Sequence, residues 1–296
     1  MSKYNYKSFV VIIHPHFELY LTNTTFLVIG LMTLKEVFNA KDKKILAYTS
    51  VFLCTALLIT MFFSHSQISQ NGLLQVYNVS SHKKLPIYCV DSNEPKVALS
   101  FDAAWGNEDT ANILKILDEN EVHVTFFMTG GWIESYPDDV KAIYEAGHDL
   151  GNHSENHKQM STLTYEQCLD ELQKPHDKVK ELTGYEMTLF RPPYGDYNDT
   201  VIDSANSLGY HVVQWDVDSL DWKDYGTSSI ITTVCDHKHL GDGSIILMHN
   251  GAKYTPDALD AVIKGIKKKG YTIVPISELI YKDNYEMDHE GRQFKK

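Results

Sequence analysis

At 296 residues, the chain is too long for one small domain and suits one large domain with an appendage. Hydrophobic residues make up 43% and charged residues 22%, an ordinary globular composition that excludes a mainly disordered, collagen-like or multi-span membrane protein. Lys+Arg number 27 against 39 Asp+Glu, and 21 basic face 36 acidic residues beyond position 63; such a domain lacks the basic footprint nucleic acid requires. The 18 tyrosines and 11% aromatic content suit carbohydrate contacts as well as a large core.

Residues 45–63 read ILAYTSVFLCTALLITMFF, 19 residues without a charge. That is long enough to cross a bilayer as a helix. A buried core helix of this length would carry a polar stripe, and here only Thr and Ser interrupt. Lys41, Lys43 and Lys44 precede the run and Ser64-His65-Ser66 follows it, which places the N-terminus in the cytoplasm and the rest outside. With no convincing cleavage site after it, the run reads as a retained signal anchor. The expected location is therefore the cell membrane, single-pass, with the domain that follows extracellular. In residues 1–44, apolar stretches at 9–13 and 26–34 are broken by His14-Pro15-His16 and Glu18. Either a second span or a translation start at Met32 accounts for them. Residues 64–94 read as a polar tether.

From Pro95 onward, short apolar runs rich in β-branched and aromatic residues alternate with helical stretches. Strands are predicted at 97–101, 124–128, 148–150, 188–190, 211–215, 245–248 and 272–274. Helices are predicted at 108–119, 137–146, 164–183, 199–208, 228–239 and 256–269. Thr164 with Gln167 reads as a capping box at the start of the third helix. Seven strands alternating with helices predict a parallel α/β architecture, a seven-stranded barrel rather than an open doubly wound sheet. No glycine-rich phosphate loop opens the first helix, which weakens a nucleotide-binding reading.

Polar residues recur at the strand ends. Asp102 follows the first strand, His153 the third and Arg191 the fourth, and His249 closes the sixth; Asp216, Asp218 and Asp221 follow the fifth. In α/β barrels, side chains at the C-terminal strand ends converge on one mouth. Singly, each reads as a cap, an exposed charge or a satisfied histidine; their repetition points to a site. His153 and His157 stand at i and i+4, one face of a helical turn, and neutral imidazole is a good zinc ligand. Glu155 lies two residues after the first histidine, about 200° round a helix, so this is not the metalloprotease arrangement. Cys54 lies inside the apolar run. Cys89, Cys168 and Cys235 show no metal-knuckle or redox spacing, and one pair is left open to bridge in an extracellular domain.

SFDAAWG at 100–106, HSENH at 153–157, RPPYG at 191–195, DSLDW at 218–222 and LMHN at 247–250 occur in this order. Together they resemble the polysaccharide deacetylases of carbohydrate esterase family four, the NodB-homology domain, over about residues 95–280. Within the family the chain looks most like the cell-wall and sporulation deacetylases of Gram-positive bacteria. The resemblance implies a distorted (β/α) barrel and metal-assisted hydrolysis of N-acetyl groups on peptidoglycan amino sugars, with residues 281–296 as a C-terminal tail. It implies Asp102 as general base, His249 as general acid, Arg191 as the cation pairing with the base and Asp221 as the carboxylate orienting His249. It further implies the backbone N–H of Tyr194 in the oxyanion hole, Trp222 and Leu247 lining the acetyl pocket, and His153 and His157 binding a divalent metal, zinc. The family's third metal ligand is an aspartate directly after the base; here that residue is Ala103. A non-catalytic glycan-binding protein on the same fold is therefore the alternative. A glycosidase would leave the two histidines and His249 without roles.

Overall fold

The computed structural model describes residues 83–296 and, before them, Thr55 alone. The expected anchor at 45–63, the segment 1–44 and the tether up to 82 lie outside the described residues, Thr55 excepted. Among the described residues no helix is long and apolar enough to cross a membrane.

In chain order the strands are β1 (Cys89–Val90), β2 (Lys96–Ala103), β3 (Thr125–Met128), β4 (Asp149–Asn152), β5 (Leu189–Phe190), β6 (His211–Val212), β7 (Val217–Asp218), β8 (Ile245–His249), β9 (Thr272–Val274), β10 (Tyr285–Met287) and β11 (Arg292–Lys295). The helices are α1 (Thr110–Glu119), α2 (Gly130–Ser135), α3 (Pro137–Glu145), α4 (Tyr165–Thr183), α5 (Asp199–Ser207), α6 (Thr227–Cys235), α7 (Thr255–Lys268) and α8 (Ile276–Leu279). The main sheet runs β6-β5-β4-β3-β2-β8-β7, with every pairing parallel. β9 pairs with Lys96–Ala98 of β2 and β3 with Ser100–Ala103, so the two share one edge of β2, one after the other.

β2 is buried over nearly its whole length because it is covered on both faces, as parallel strands are. Its alternation sorts the core. Val97, Leu99, Phe101 and Ala103 belong to the apolar cluster that also holds the helix residues Ile113, Leu117, Val262 and Ile266. Ala98 belongs to a second, inner cluster with Phe127, Leu189, Val213 and Ile245. α7 shows why the outer layer adheres: Ala258, Leu259, Val262, Ile263 and Ile266 fall on one stripe and are all buried, each large side chain contributing roughly 1.5–3 kcal/mol. The capping box of α4 forms as the sequence indicates, Thr164 Oγ1 accepting from Gln167 N at 3.3 Å and Gln167 Oε1 from Thr164 N at 2.9 Å. Cys89, Cys168 and Cys235 are buried and free.

Inside the curved sheet the residues stack in layers. At the base, Thr125 Oγ1 donates to Asp149 Oδ2 at 3.1 Å and accepts from Ile276 N of α8 at 2.9 Å. Above them lies Phe127, and a Cβ on Gly151 would come within 2.4 Å of its ring. Gly151→Ala is therefore expected to destabilise the domain by about 1–3 kcal/mol through overpacking, read as a lower denaturant midpoint at unchanged slope.

The expected distorted seven-stranded barrel is a half-barrel, open between β6 and β7 at the two ends of the sheet. The strand predicted at 211–215 ends early because the chain crosses this seam at 213–216. Gln214 N donates to Ile87 O at 2.7 Å and Asp216 N to Ile245 O at 3.2 Å. The seam is filled by the approach to β1: Ile87 N donates to Val212 O and Val90 N to Gly243 O. β1 pairs in parallel with β11, and β11 pairs antiparallel with β10. The last residues of the expected tether and the expected tail thus meet in one three-stranded sheet, and the boundaries drawn at 95 and 280 fall inside the folded unit.

Candidate active site

Asp102, next to last in β2, stands directly beside His249 at the end of β8. Ser100, Asp102 and the chain just beyond β4 and β5 put their polar groups on the inner face, above Phe127. The Arg191 guanidinium lies 4.2 Å over the Phe127 ring. It is fully buried, donating through Nη1 to Asp102 Oδ1 at 2.8 Å and through Nη2 to Ser100 Oγ at 2.8 Å and Gln214 O at 3.2 Å. Burial pushes the Asp102 carboxyl up, but His153, Arg191 and His249 outweigh it and hold it below the ordinary range. Asp102 is thus an anion whose second oxygen remains available.

His249 is held from the opposite side. Asp221, fully buried, accepts His249 Nδ1–H at 2.7 Å, the His249 backbone N–H at 2.7 Å and Thr255 Oγ1–H at 2.6 Å. Burial pulls the imidazole down, but Asp221 outweighs it and raises its pKa above 6.5. One mouth therefore brings together a carboxylate held toward its ionised form and an imidazole held toward its protonated form, a pairing that suits acid–base chemistry.

His153 and His157 meet with ring centroids 5.0 Å apart, but not on a helical turn. Residues 153–157 form a loop in which Ser154 (φ 65°) and His157 (φ 52°) are left-handed. Short polar side chains take the hydrogen bonds a helix would use. Asn152 Oδ1 accepts Ser154 N at 2.9 Å, Ser154 Oγ accepts His157 N at 3.0 Å, and Glu171 takes the Asn156 N–H at 2.8 Å. Glu155 points away to Lys178, 2.7 Å distant. His153 Nδ1 donates to Arg191 O at 2.7 Å, which leaves the lone pair on Nε2, 3.5 Å from Asp102 Oδ2. Desolvation lowers the pKa of both histidines, His157 to about 4.

The remaining predicted residues are placed as follows. Tyr194 is left-handed (φ 60°) and 65% exposed, and among the described residues its backbone N–H goes to no acceptor. Its ring packs edge-on to His157 at 4.5 Å. Trp222 is 55% exposed beside Asp221, and Leu247 is buried on the same strand as His249. Asp216 does not join the rim. Its carboxylate accepts Ile245 N at 2.8 Å and Ser244 Oγ at 3.0 Å at the opposite end of β8, closing the seam, and burial raises its pKa to about 6. Sequence reasoning missed Ser100 and Thr255, which fix Arg191 and Asp221. Ser100 was detectable as the inward residue two before Asp102; Thr255 carries no local signal. It also missed Trp105, 65% exposed and edge-on to His157 at 4.8 Å.

The polysaccharide deacetylase family profile matches residues 90–213. The chain is 32% identical over 214 residues to the peptidoglycan-N-acetylmuramic acid deacetylase PdaA of Bacillus subtilis, covering 71% of this chain and 78% of that protein. It is 34% identical over 190 residues to the peptidoglycan-N-acetylmuramic acid deacetylase PdaC of the same organism, covering 64% of this chain but only 40% of that longer protein. Among solved structures, a carbohydrate esterase family four pseudoenzyme from Bacillus anthracis matches with a TM-score of 0.64 and 34% identity, over 67% of this chain and 69% of that one. A mutant of that pseudoenzyme with restored enzymatic activity matches with a TM-score of 0.64 and 35% identity, over 67% and 72%. The chain belongs to the polysaccharide deacetylase family, hydrolases of N-acetyl amide bonds.

The family resemblance brings with it a divalent metal, and the donor set here fits one only in part. His153 presents an unprotonated Nε2, and His157 Nδ1 is buried without a partner. Position 103 offers a methyl group, fully buried and in the outer apolar cluster. Among the described residues no group of three His, Cys, Asp or Glu is placed to hold a metal. These residues fit a cation held by two imidazoles and not the three-ligand set of a catalytic zinc.

Proposed function

We propose that this protein is a membrane-anchored, extracellular de-N-acetylase of cell-wall peptidoglycan, hydrolysing the N-acetyl group of an amino sugar to acetate and a free amine. The observation that carries the reading is the pair of complete couples, Asp102 with Arg191 and His249 with Asp221, facing one mouth. Asp102 takes a proton from the attacking water as its oxygen bonds to the acetyl carbon. The free N–H of Tyr194 donates to the oxyanion. As the C–N bond breaks, His249 Nε2–H passes its proton to the departing amine. Arg191 keeps Asp102 ionised and in place. Trp222 and Leu247 line the acetyl methyl. A divalent cation held by His153 and His157 would supply Lewis acidity and a more acidic water.

The test is acetate and free amine released from peptidoglycan, with and without added zinc. Release of reducing ends instead would replace this reading with a glycosidase. The second reading is a non-catalytic glycan-binding protein, favoured by Ala103 and by the likeness to a pseudoenzyme; retention on peptidoglycan with no acetate under any metal condition would establish it.

The anchor gives a separate prediction. Protease added to intact, wall-stripped cells is expected to remove residues 64–296, because Lys41, Lys43 and Lys44 precede the apolar run. Full protection would overturn the topology.

A further inference from the structure

A cleft of about 750 Å³ lies at the seam of the half-barrel, outside the catalytic couples. Its volume is within the roughly 300–1,000 Å³ of small-molecule sites. Tyr88 and Trp215 supply aromatic wall, and Asp218, Lys238, Glu290 and Arg292 bring charge of both signs. Lys238, Glu290 and Arg292 make no ion pair, with one another or elsewhere, among the described residues. Opposite charges that share a cleft without pairing leave both signs free for a ligand.

One end of the cleft approaches the catalytic couples through Trp215 and Asp218. The Trp215 ring that lines it is also 5.7 Å from the Arg191 guanidinium, and a Cβ on Gly195 would lie 3.3 Å from that ring. Asp218 lines it as well and pairs in register with Leu247, two residues before His249. Cys89, Asp216 and His239 line its other end, at the start of β8, so the cleft runs along the seam and only its Trp215–Asp218 end lies toward the catalytic couples.

We propose that this cleft receives the short peptide carried by the amino sugar, so that the protein acts on peptide-bearing glycan in preference to bare strands. A neutral N-acetylated sugar has no use for unpaired ammonium, guanidinium and carboxylate groups. A purely anionic or purely cationic ligand would meet repulsion from half of them. A peptide with free carboxylates and a free amine satisfies both signs, with Trp215 and Tyr88 against its apolar parts. This inference rests on the deacetylase reading, naming the substrate of the same site.

The test is calorimetric titration of the full-length chain with a soluble disaccharide-peptide from peptidoglycan, and with the same disaccharide after enzymatic removal of the peptide. The expected result is binding at least about tenfold tighter for the peptide-bearing form. Lys238→Ala and Arg292→Gln are each expected to reduce that margin at least about fivefold while leaving affinity for the bare disaccharide unchanged. Lys238 is exposed in a loop, so its variant carries no folding risk. Equal affinity for the two ligands, or variants that keep the full margin, would overturn the proposal. Acetate release is measured alongside. Release with equal affinities removes the peptide site and leaves the deacetylase reading standing. A peptide margin without release supports the cleft assignment and sinks the deacetylase reading. Failure to bind either ligand overturns the proposal.

Discussion

His249→Ala is expected to lower deacetylation by about 10²–10⁴-fold, roughly 3–5 kcal/mol of barrier, and to lower stability as well, because it removes the cationic partner of the fully buried Asp221. The ring is part-buried, and its loss leaves Asp221 still accepting the backbone N–H of residue 249 and the Thr255 hydroxyl. Asp102→Asn should lose rate by a similar factor, and it too should lose stability. Arg191 is fully buried and Asp102 is its ion-pair partner. Removing that charge leaves a buried cation uncompensated, an effect that reaches about 3–5 kcal/mol in buried pairs. Rates are therefore to be read beside thermal unfolding. If both variants keep near wild-type acetate release, the acid and base are wrongly assigned. The same couple sets a pH limit. Asp221 raises the His249 pKa above 6.5, so the protonated acid, and the stability its pairing contributes, persist at low pH and are lost as pH rises through that raised value. Asp221→Asn removes the opposing charge, and the alkaline limb of the rate profile is expected to move to lower pH. An unmoved limb would dissociate it from His249.

The parts legible in the sequence were those with a period or a position. β2 and β8 are long enough to show their apolar character, and a strand's end locates its next polar residue. That is how position in the chain singles out Asp102, Arg191, His153 and His249, whose side chains the structure brings together. β1, β5, β6 and β7 are two residues long. β5 and β6 still fall within predicted strands, but β1 and β7 have no alternation to read, so the seam, the half-open barrel and the three-stranded sheet built from 89–90, 285–287 and 292–295 carry no period to find. Asp216 was misplaced for the same reason. Counted from the predicted strand it follows the C-terminal end, whereas the chain has already crossed the seam and returned to the start of β8. The two histidines do meet, but in a loop held by Asn152 and Ser154 and not on a helical turn, because i and i+4 spacing suits either backbone equally well.

Ala103→Asp is expected to convert metal binding from weak to tight. In the natural chain, His153 and His157 are the two imidazoles available, and Ala103 contributes no donor. In the family pattern the residue after the base ligates the metal, so an aspartate there completes a three-ligand set. The structure adds a condition. Ala103 is fully buried and clusters with Phe101 and the helix-facing core. A carboxylate at that position is costly unless a cation or the neighbouring imidazoles satisfy it. The variant should therefore be less stable than the natural chain in chelator and recover on adding zinc, by about 2.7 kcal/mol at a hundredfold excess over Kd. Zinc affinity by calorimetry should rise at least about tenfold, or 1.4 kcal/mol. Turnover need not rise in proportion, since the added anion makes the cation a poorer Lewis acid. Equal, tight zinc binding by both chains would mean that another residue already supplies the third ligand. Binding by neither would show that the half-filled site no longer serves a metal, and would favour the glycan-binding reading over the hydrolase.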